Sequence, residues 1–581
     1  MKDLKFSELI RLNNELGLNL KEKERVEIRI LANITVNQLK PVLEYALRRD
    51  GVNAVVGIAD YDNILQESTL LEKKQIPLVF WELCNITDSF AYKVETFPEE
   101  MFAEYLNKAK NELMMLFGNL QSSSLVIFNR FSHLFFSRNN LKPFNFERFV
   151  NEVNDFLVKN APSNFLLVDL DKVLAGISFD IAFDPGGYYS TKTLYTVGFF
   201  KSYAPFINPV ILSTYGRTKK AVILDCDNTL WKGVVGEDGW ENIALSEKHK
   251  NGIYFKEVQL LMKALAQRGV IIGICSKNNP ADVEEVFEKR SDMVLKSDDI
   301  VIKKINWNDK ASNFQEIAKD LNIGIDSLVF IDDSGFEINL IRERLPQVKT
   351  IQVPEKLYDY PRVILENLPL FFTLKTTEED LRRVKMYKED IQRSSAIDTY
   401  QNIEDYLGSL GIQVVIANKE WDVIERVTQL TQKTNQFNLT TRRVQIGEMQ
   451  QLYQDPDHDV LNLSVSDKFG SSGLTGVCIV RYAGGTAIID TLLLSCRILG
   501  RNIETVFLRE IIRTISERGV RRVMALYKKT LKNGQVEQFY DKHGFTLLTV
   551  SDTERSYEAD STVFLSGHEP LNYIEVIWKR D

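Results

Sequence analysis

The chain has 581 residues, 44% of them hydrophobic and 26% charged, and a formal net charge of −8. It is too long for one core, since domains run to about 100–200 residues, so three domains are the opening expectation. An acidic chain of ordinary composition speaks against a nucleic-acid partner, and no run of about 18 apolar residues offers a membrane span.

The N-terminus, MKDLKFSELIRLNNELGL, is amphipathic and charged, without the apolar core of a signal peptide. Five cysteines without a CxxC pair point to reduced thiols rather than structural zinc, so a soluble, cytoplasmic protein is expected. Short apolar runs at 26–34, 52–58, 76–83, 124–131 and 164–170 read as strands. Helical apolar spacing lies between them at 36–49 and 99–120. This alternation predicts right-handed βαβ units and a largely parallel, flavodoxin-like sheet over residues 1–215. The turn-rich Asp184-Pro185-Gly186-Gly187 marks the approach to its end.

A second α/β block, 216–375, opens with the buried strand of AVILDCDNTLW. A highly charged helix over 376–396, within a linker assigned to 376–399, reads as a solvated connector rather than a partner site. A third, α+β block over 400–581 carries strands at 412–417, 477–483, 486–494 and 520–527. There is no internal repeat and no low-complexity tract.

Four strand-terminal elements of the middle block carry chemistry. Asp225 and Asp227 stand two residues apart at the carboxyl end of an apolar strand, where open parallel sheets place ligands. Alternation points both the same way, so a nucleophile and an acid/base address one phosphorus. Ser276 ends the strand of VIIGICSKN, offering a hydroxyl and backbone N–H to phosphate oxygens. Lys304 is expected to neutralise the phosphoryl charge, with Lys303 and Lys310 as rivals. Asp332 and Asp333 end the strand of SLVFIDDSGFE, and with Asp225 and Asp227 they suit a hard Mg²⁺ ion. In this order and separation the elements resemble the haloacid dehalogenase superfamily. The spacing leaves room for a flap and single helices but no inserted cap, so the site must accept a presented substrate or borrow a lid.

The run LDCDNTLWKGVVGEDG (224–239) is narrower still and resembles the FkbH-like family, with further agreement at CSKN (275–278), NWNDKASNF (306–314), KTNQFNLTTRR (433–443) and LSCRILGR (494–501). The resemblance implies a degenerate SGNH-hydrolase-like first domain, a capless phosphatase-like Rossmannoid second and a GNAT-like third. It also implies Mg²⁺ and phosphopantetheine or coenzyme A as cofactors. The reaction implied is dephosphorylation of a small acyl phosphate resembling 1,3-bisphosphoglycerate, with delivery of a glyceryl-type group to the thiol of an acyl carrier protein. The alternative is a plain phosphatase of a small metabolite fused to an N-acetyltransferase, as in surface polysaccharide synthesis. Asn278 and Lys310 are assigned to substrate. Cys226 is either an acyl-carrying thiol, as the resemblance implies, or a small buried hydrophobe pointing away from its flanking aspartates, as strand alternation favours.

In the third block Arg497-x-x-Gly500-Arg501-Asn502 approximates the R-x-x-G-x-G/A loop that binds a pyrophosphate. Tyr540 in FYDKHGF matches a tyrosine that protonates a thiolate, although a helix start plus a core aromatic is the other reading. Cys496 is a second candidate thiol or a packing residue. KTNQFNLTTRR is an amide-lined anion site or a polar loop. The first block offers no serine after its first strand and no histidine over 183–195, so Ser–His–Asp catalysis is not expected there.

Overall fold

The computed structural model describes every residue except 2, 24, 73, 124, 140, 374–377, 398–399, 401, 531 and 580–581, and only the backbone of 378–381, 394, 395 and 397. The chain divides into two compact units, 1–212 with 444–451, and 213–443 with 452–581.

In the first unit, strands β1 (Arg25–Ala32), β2 (Asn53–Ile58), β3 (Ile76–Phe80), β4 (Val126–Asn129) and β5 (Phe165–Val168) form one sheet in the order β2-β1-β3-β4-β5. All pairings are parallel. This is the strand order of flavodoxin-like doubly wound sheets. Where β1 ends stands Asn33, fully committed to scaffolding: its amide donates to the Glu82 carbonyl (2.9 Å) and accepts from the Glu82 N–H (2.7 Å). Tyr195 donates to the Glu82 carboxyl at 2.7 Å.

The second unit holds two sheets. Strands β6 (Ala221–Leu224), β7 (Ile271–Ser276), β8 (Ile302–Ile305), β9 (Leu328–Asp332) and β10 (Lys349–Gln352) pair in the order β10-β9-β6-β7-β8, again all parallel. Val222, Leu224, Ile272 and Ile274 point into one apolar cluster, and Ala221, Ile223, Ile271 and Cys275 into a second. A near-continuous apolar strand buried on both faces requires that arrangement.

The other sheet runs β17-β18-β16-β15-β14-β13-β11-β19, with β12 paired to β15. Its strands are β11 (Ile412–Asn418), β12 (Phe437–Asn438), β13 (His458–Asp467), β14 (Gly470–Ala483), β15 (Thr486–Leu494), β16 (Arg522–Lys528), β17 (Thr546–Val550), β18 (Glu554–Asp560) and β19 (Ile574–Trp578). Strands β15 and β16 pair in parallel only from Thr486↔Arg522 to Ile489↔Ala525. Beyond that point Phe437–Leu439 lies between them: the Leu439 N–H donates to the Leu492 carbonyl (3.1 Å) and its carbonyl accepts from the Lys528 N–H (2.8 Å). The FNL part of the KTNQFNLTTRR block is therefore a wedge inside the sheet, and Lys433 ends the preceding helix.

The helix Glu378–Ile397 corrects the expectation of a solvated connector. Tyr387 belongs to an apolar cluster of the middle sheet, and Ala396 packs against the core of the last sheet. Arg393, 3% exposed, makes a bidentate bond to Asp467 (2.7 and 2.9 Å) and another to Asp390 (2.6 Å). High charge misleads here because the charges pair inward. The ends of the assigned linker, 376–377 and 398–399, lie outside the described residues.

Candidate active site

Strands β6 and β9 are neighbours at the point where the order of the sheet reverses, so the carboxyl ends of both open onto one crevice. Asp225 follows β6, its N–H bound to the Ile331 carbonyl at 3.0 Å, and Asp332 ends β9. The helix Lys310–Asp320 begins beside them, capped by Asp309, whose carboxylate accepts from the N–H groups of Ala311 and Ser312. That cap sends Lys310 inward, 3% exposed, where its Nζ donates to Asp225 Oδ1 at 2.7 Å and Asp332 Oδ2 at 2.6 Å.

Carboxylate oxygens of Asp225, Asp332 and Asp333 lie within 4.8 Å of one another. Burial raises the pKa of Asp225, opposed by Lys310 and the Ser276 hydroxyl. Burial and then Asp225 push Asp332 up to about 7, and the same two causes raise Asp333. Burial works against the Lys310 ammonium, but the two aspartates more than offset it and raise its pKa. One ammonium thus serves three converging carboxylates. The remaining negative charge, on oxygen donors only, fits a hard divalent cation such as Mg²⁺.

Asp227 is held differently. Its Oδ1 accepts from Trp231 Nε1 (2.9 Å) and the Val235 N–H (3.0 Å), and its Oδ2 from Asn278 Nδ2 (2.9 Å). The carboxylate expected among the metal ligands is thereby fixed by the flap and stands outside the three-aspartate group. Asn278 also donates to Ser276 Oγ at 3.2 Å, so Ser276, Asn278 and Asp227 form one chain of contacts beside Asp225.

Two further expectations are corrected. Lys304 points to the sheet edge and pairs with Glu316 and Asp320, both at 2.9 Å, while Lys303 pairs with Glu284. Lys310, one residue into a helix rather than on the strand, is the lysine of the site; the N-cap Asp309 was the signal for it. Cys226 is fully buried in the apolar cluster under the sheet, and burial followed by Asp225 drives its thiol far from ionisation. Cys226 follows the end of β6 rather than lying on it, and its thiol also meets the Ser276 hydroxyl.

In the last sheet the residues assigned to a cofactor are engaged by the chain itself. Arg501 bonds Asp467 and Asp390, both at 3.2 Å, Arg497 donates to Ser495 Oγ at 3.2 Å, and Gly500 takes a φ of 80° in the turn ahead of the helix Ile503–Glu517. Tyr540 is 1% exposed, its hydroxyl has no partner among the described residues, and burial raises its pKa well above the usual value. The Tyr540 ring belongs to the core cluster of the last sheet.

Neither a protein-family model nor a curated protein matches the chain. Among solved structures it is similar to the N-terminal part, containing the phosphatase domain, of a Bacteroides fragilis protein complexed with Mg, at 27% identity over 64% of this chain and 100% of that one, with a TM-score of 0.55. Structures of acetyltransferases also match over smaller parts. One is the ribosomal-protein-S18-alanine N-acetyltransferase of Escherichia coli, at 13% identity over 25% of this chain and 93% of that one, with a TM-score of 0.21. Another is the PaiA N-acetyltransferase of Thermoplasma acidophilum in complex with coenzyme A, at 18% over 20% and 68%, with a TM-score of 0.17. The chain is a mixed α/β protein with parallel sheets, and part of it matches a phosphatase domain.

Proposed function

We propose that the crevice between β6 and β9 is a Mg²⁺-dependent phosphoryl-transfer centre with Asp225 as nucleophile and Asp227 as acid/base. The observation that carries this reading is Lys310 bridging Asp225 and Asp332 inside a group of three convergent carboxylates. The Mg-bound state of the Bacteroides fragilis relative supports it. Asp225, Asp332 and Asp333 would hold the cation, which supplies charge neutralisation at the phosphoryl group.

The chain's own residues do the rest. An Asp225 oxygen attacks phosphorus and the bond to the leaving oxygen breaks, that oxygen taking a proton from Asp227. Asp227, oriented by Trp231, Val235 and Asn278, then receives a proton from the water that cleaves the aspartyl phosphate. Ser276 and Asn278 stand where phosphate oxygens would be received, and Lys310 offsets the charge.

The donor we favour is a small acyl phosphate: a carrier-protein thiol outside the chain, since Cys226 is enclosed, gives up its proton and attacks the acyl carbonyl, the carbon–oxygen bond breaks and phosphate leaves, a route that bypasses attack on phosphorus. Hydrolysis alone is the second reading, favoured by that same enclosure. Incubation with Mg²⁺, 1,3-bisphosphoglycerate and a phosphopantetheinylated carrier, read by intact mass, separates them: a glyceryl adduct on the carrier is expected, and phosphate release with no adduct leaves simple hydrolysis. Asp225→Asn should lose phosphate release by about a thousandfold or more, in line with the loss of a covalent nucleophile. Full activity in that variant refutes the assignment.

A further inference from the structure

A cavity of about 570 Å³ in the first unit is walled by Phe135, Phe136, Phe179 and Phe183. Arg138, Asn139 and Asp180 supply its polar groups. Two stretches build it: the short helix Leu134–Ser137 with the residues after it, beyond β4, and the segment from Phe179, beyond β5. Its volume lies within the roughly 300–1,000 Å³ of small-ligand sites, which are mostly apolar with a few placed polar groups. The cavity adjoins the carboxyl ends of the sheet. Phe135 packs edge-on against Tyr195, ring centroids 5.6 Å apart, and Tyr195 bonds Glu82 just past the end of β3. Open α/β sheets place ligands at that edge.

The four rings are held in place without being covered. Phe135 and Phe183 stack with centroids 4.6 Å apart, and Phe136 packs edge-on against the buried rings of Phe146 and Tyr188 at 5.5 and 5.9 Å. A backbone bridge between Phe183 and Tyr195 fixes the far wall. All four phenylalanines remain half-buried, so part of each ring is left to the cavity. The Arg138 guanidinium lies 4.4 Å from the centre of the Phe179 ring, which orients its charge without neutralising it. Among the described residues Arg138 has no carboxylate partner and Asp180 no cation, and the two do not pair although both line the cavity. A guanidinium laid on a ring and lacking a counter-ion takes a carboxylate or a phosphate. An aspartate carboxylate without a cation accepts from an amino group. Between the two, phenyl rings favour a flat ring, offset-stacked or edge-on.

We propose that this cavity binds a small aromatic anion, with its ring among the four phenylalanines, its carboxylate or phosphate on Arg138 and an amino substituent on Asp180. The site belongs wholly to the first unit, so it stands whether or not the aspartate centre transfers phosphoryl groups.

The fluorescent aromatic anion 8-anilinonaphthalene-1-sulfonate is a suitable probe. Its emission should rise saturably with the native chain. Arg138→Gln, at an exposed position, should raise its Kd by about tenfold or more, as expected for the loss of a charge-assisted bond. The same substitution should leave binding of the uncharged dye N-phenyl-1-naphthylamine unchanged. Phe179→Ala should weaken both dyes, and Asp225→Asn should weaken neither. Competition then identifies the anion: displacement by adenosine 5′-monophosphate assigns a phosphate ester, and displacement by 4-aminobenzoate alone assigns a carboxylate. Asp180→Ala should weaken competition by 4-aminobenzoate but not by benzoate, which lacks the amino group. Equal binding of the anionic dye by the parent chain and Arg138→Gln, or displacement by neither competitor, overturns the site.

Discussion

Lys310 sits where two buried carboxylates would otherwise face each other across the crevice. Removing one partner from such a group leaves uncompensated buried charge, at a cost of about 3–5 kcal/mol. Lys310→Met should therefore lower the urea midpoint of the second unit and abolish phosphate release. Lys304→Met breaks an exposed pair worth at most about 1 kcal/mol and should leave release within about threefold. Equal effects of the two substitutions would contradict the placement of Lys310. Glu82, in the first unit, makes a pH prediction. Burial pushes its carboxyl from 4.5 up to about 8, against the bond from Tyr195 that lowers it, with a smaller upward push from Asp171. A folded-state pKa raised above the unfolded value means the native state keeps a proton that the unfolded chain releases. Its stabilising contribution is therefore full below about pH 4.5 and declines as pH rises to about 8, by up to about 1.4 kcal/mol per unit. Glu82→Gln, which retains an acceptor for Tyr195, should flatten the fall in stability of the first unit across that window. An unchanged slope in urea titrations at several pH values would show that Glu82 does not titrate in this way.

At the scale of elements, legibility followed periodicity. The five strands of the first sheet and β6, β7 and β9 of the second stand where their apolar runs predict them; β3, β4, β6, β7 and β9 are apolar throughout because they are buried on both faces, whereas β1 alternates, with Arg25, Glu27 and Arg29 between its buried residues. The strand β13 and the short terminal strands β17–β19 are not predicted, although β17 (TLLTV) and β19 (IEVIW) carry apolar residues; β17 is exposed along its whole length. The wedge Phe437–Leu439 was illegible for another reason, since two or three residues carry no period and its role depends on where β15 and β16 part. Within the site, order and spacing located Asp225, Asp332 and Ser276, but not which lysine turns inward, because that depends on the capped start of a helix. The helix Glu378–Ile397 shows the converse error, its charges being internal ion pairs. A solvated helix would tolerate Arg393→Ala within about 0.5 kcal/mol. With Arg393 buried between Asp467 and Asp390, a loss of about 3 kcal/mol is expected in chemical denaturation of the second unit, and a loss below 1 kcal/mol would restore the connector reading.

For the whole molecule, the division of compact units decides how it should melt. The middle sheet and the last sheet belong to one unit, joined by the helix that places Tyr387 in one core and Ala396 against the other, by Asn322 on the Cys496 carbonyl and by the pair of Lys532 with Asp326. Exposing the core of either sheet would strip buried partners from the other, so partial unfolding leaves unpaired charge and open apolar surface on both. Scanning calorimetry should accordingly show two transitions rather than three. A ligand that binds only the native state raises the transition of the unit that holds it, by about 2.7 kcal/mol at a hundredfold excess over Kd. Magnesium should therefore move the transition of the second unit alone, and amide hydrogen-exchange protection in the last sheet should follow that shift although the carboxylates lie on the other sheet. Melting of the last sheet independently of Mg²⁺ would refute the coupling.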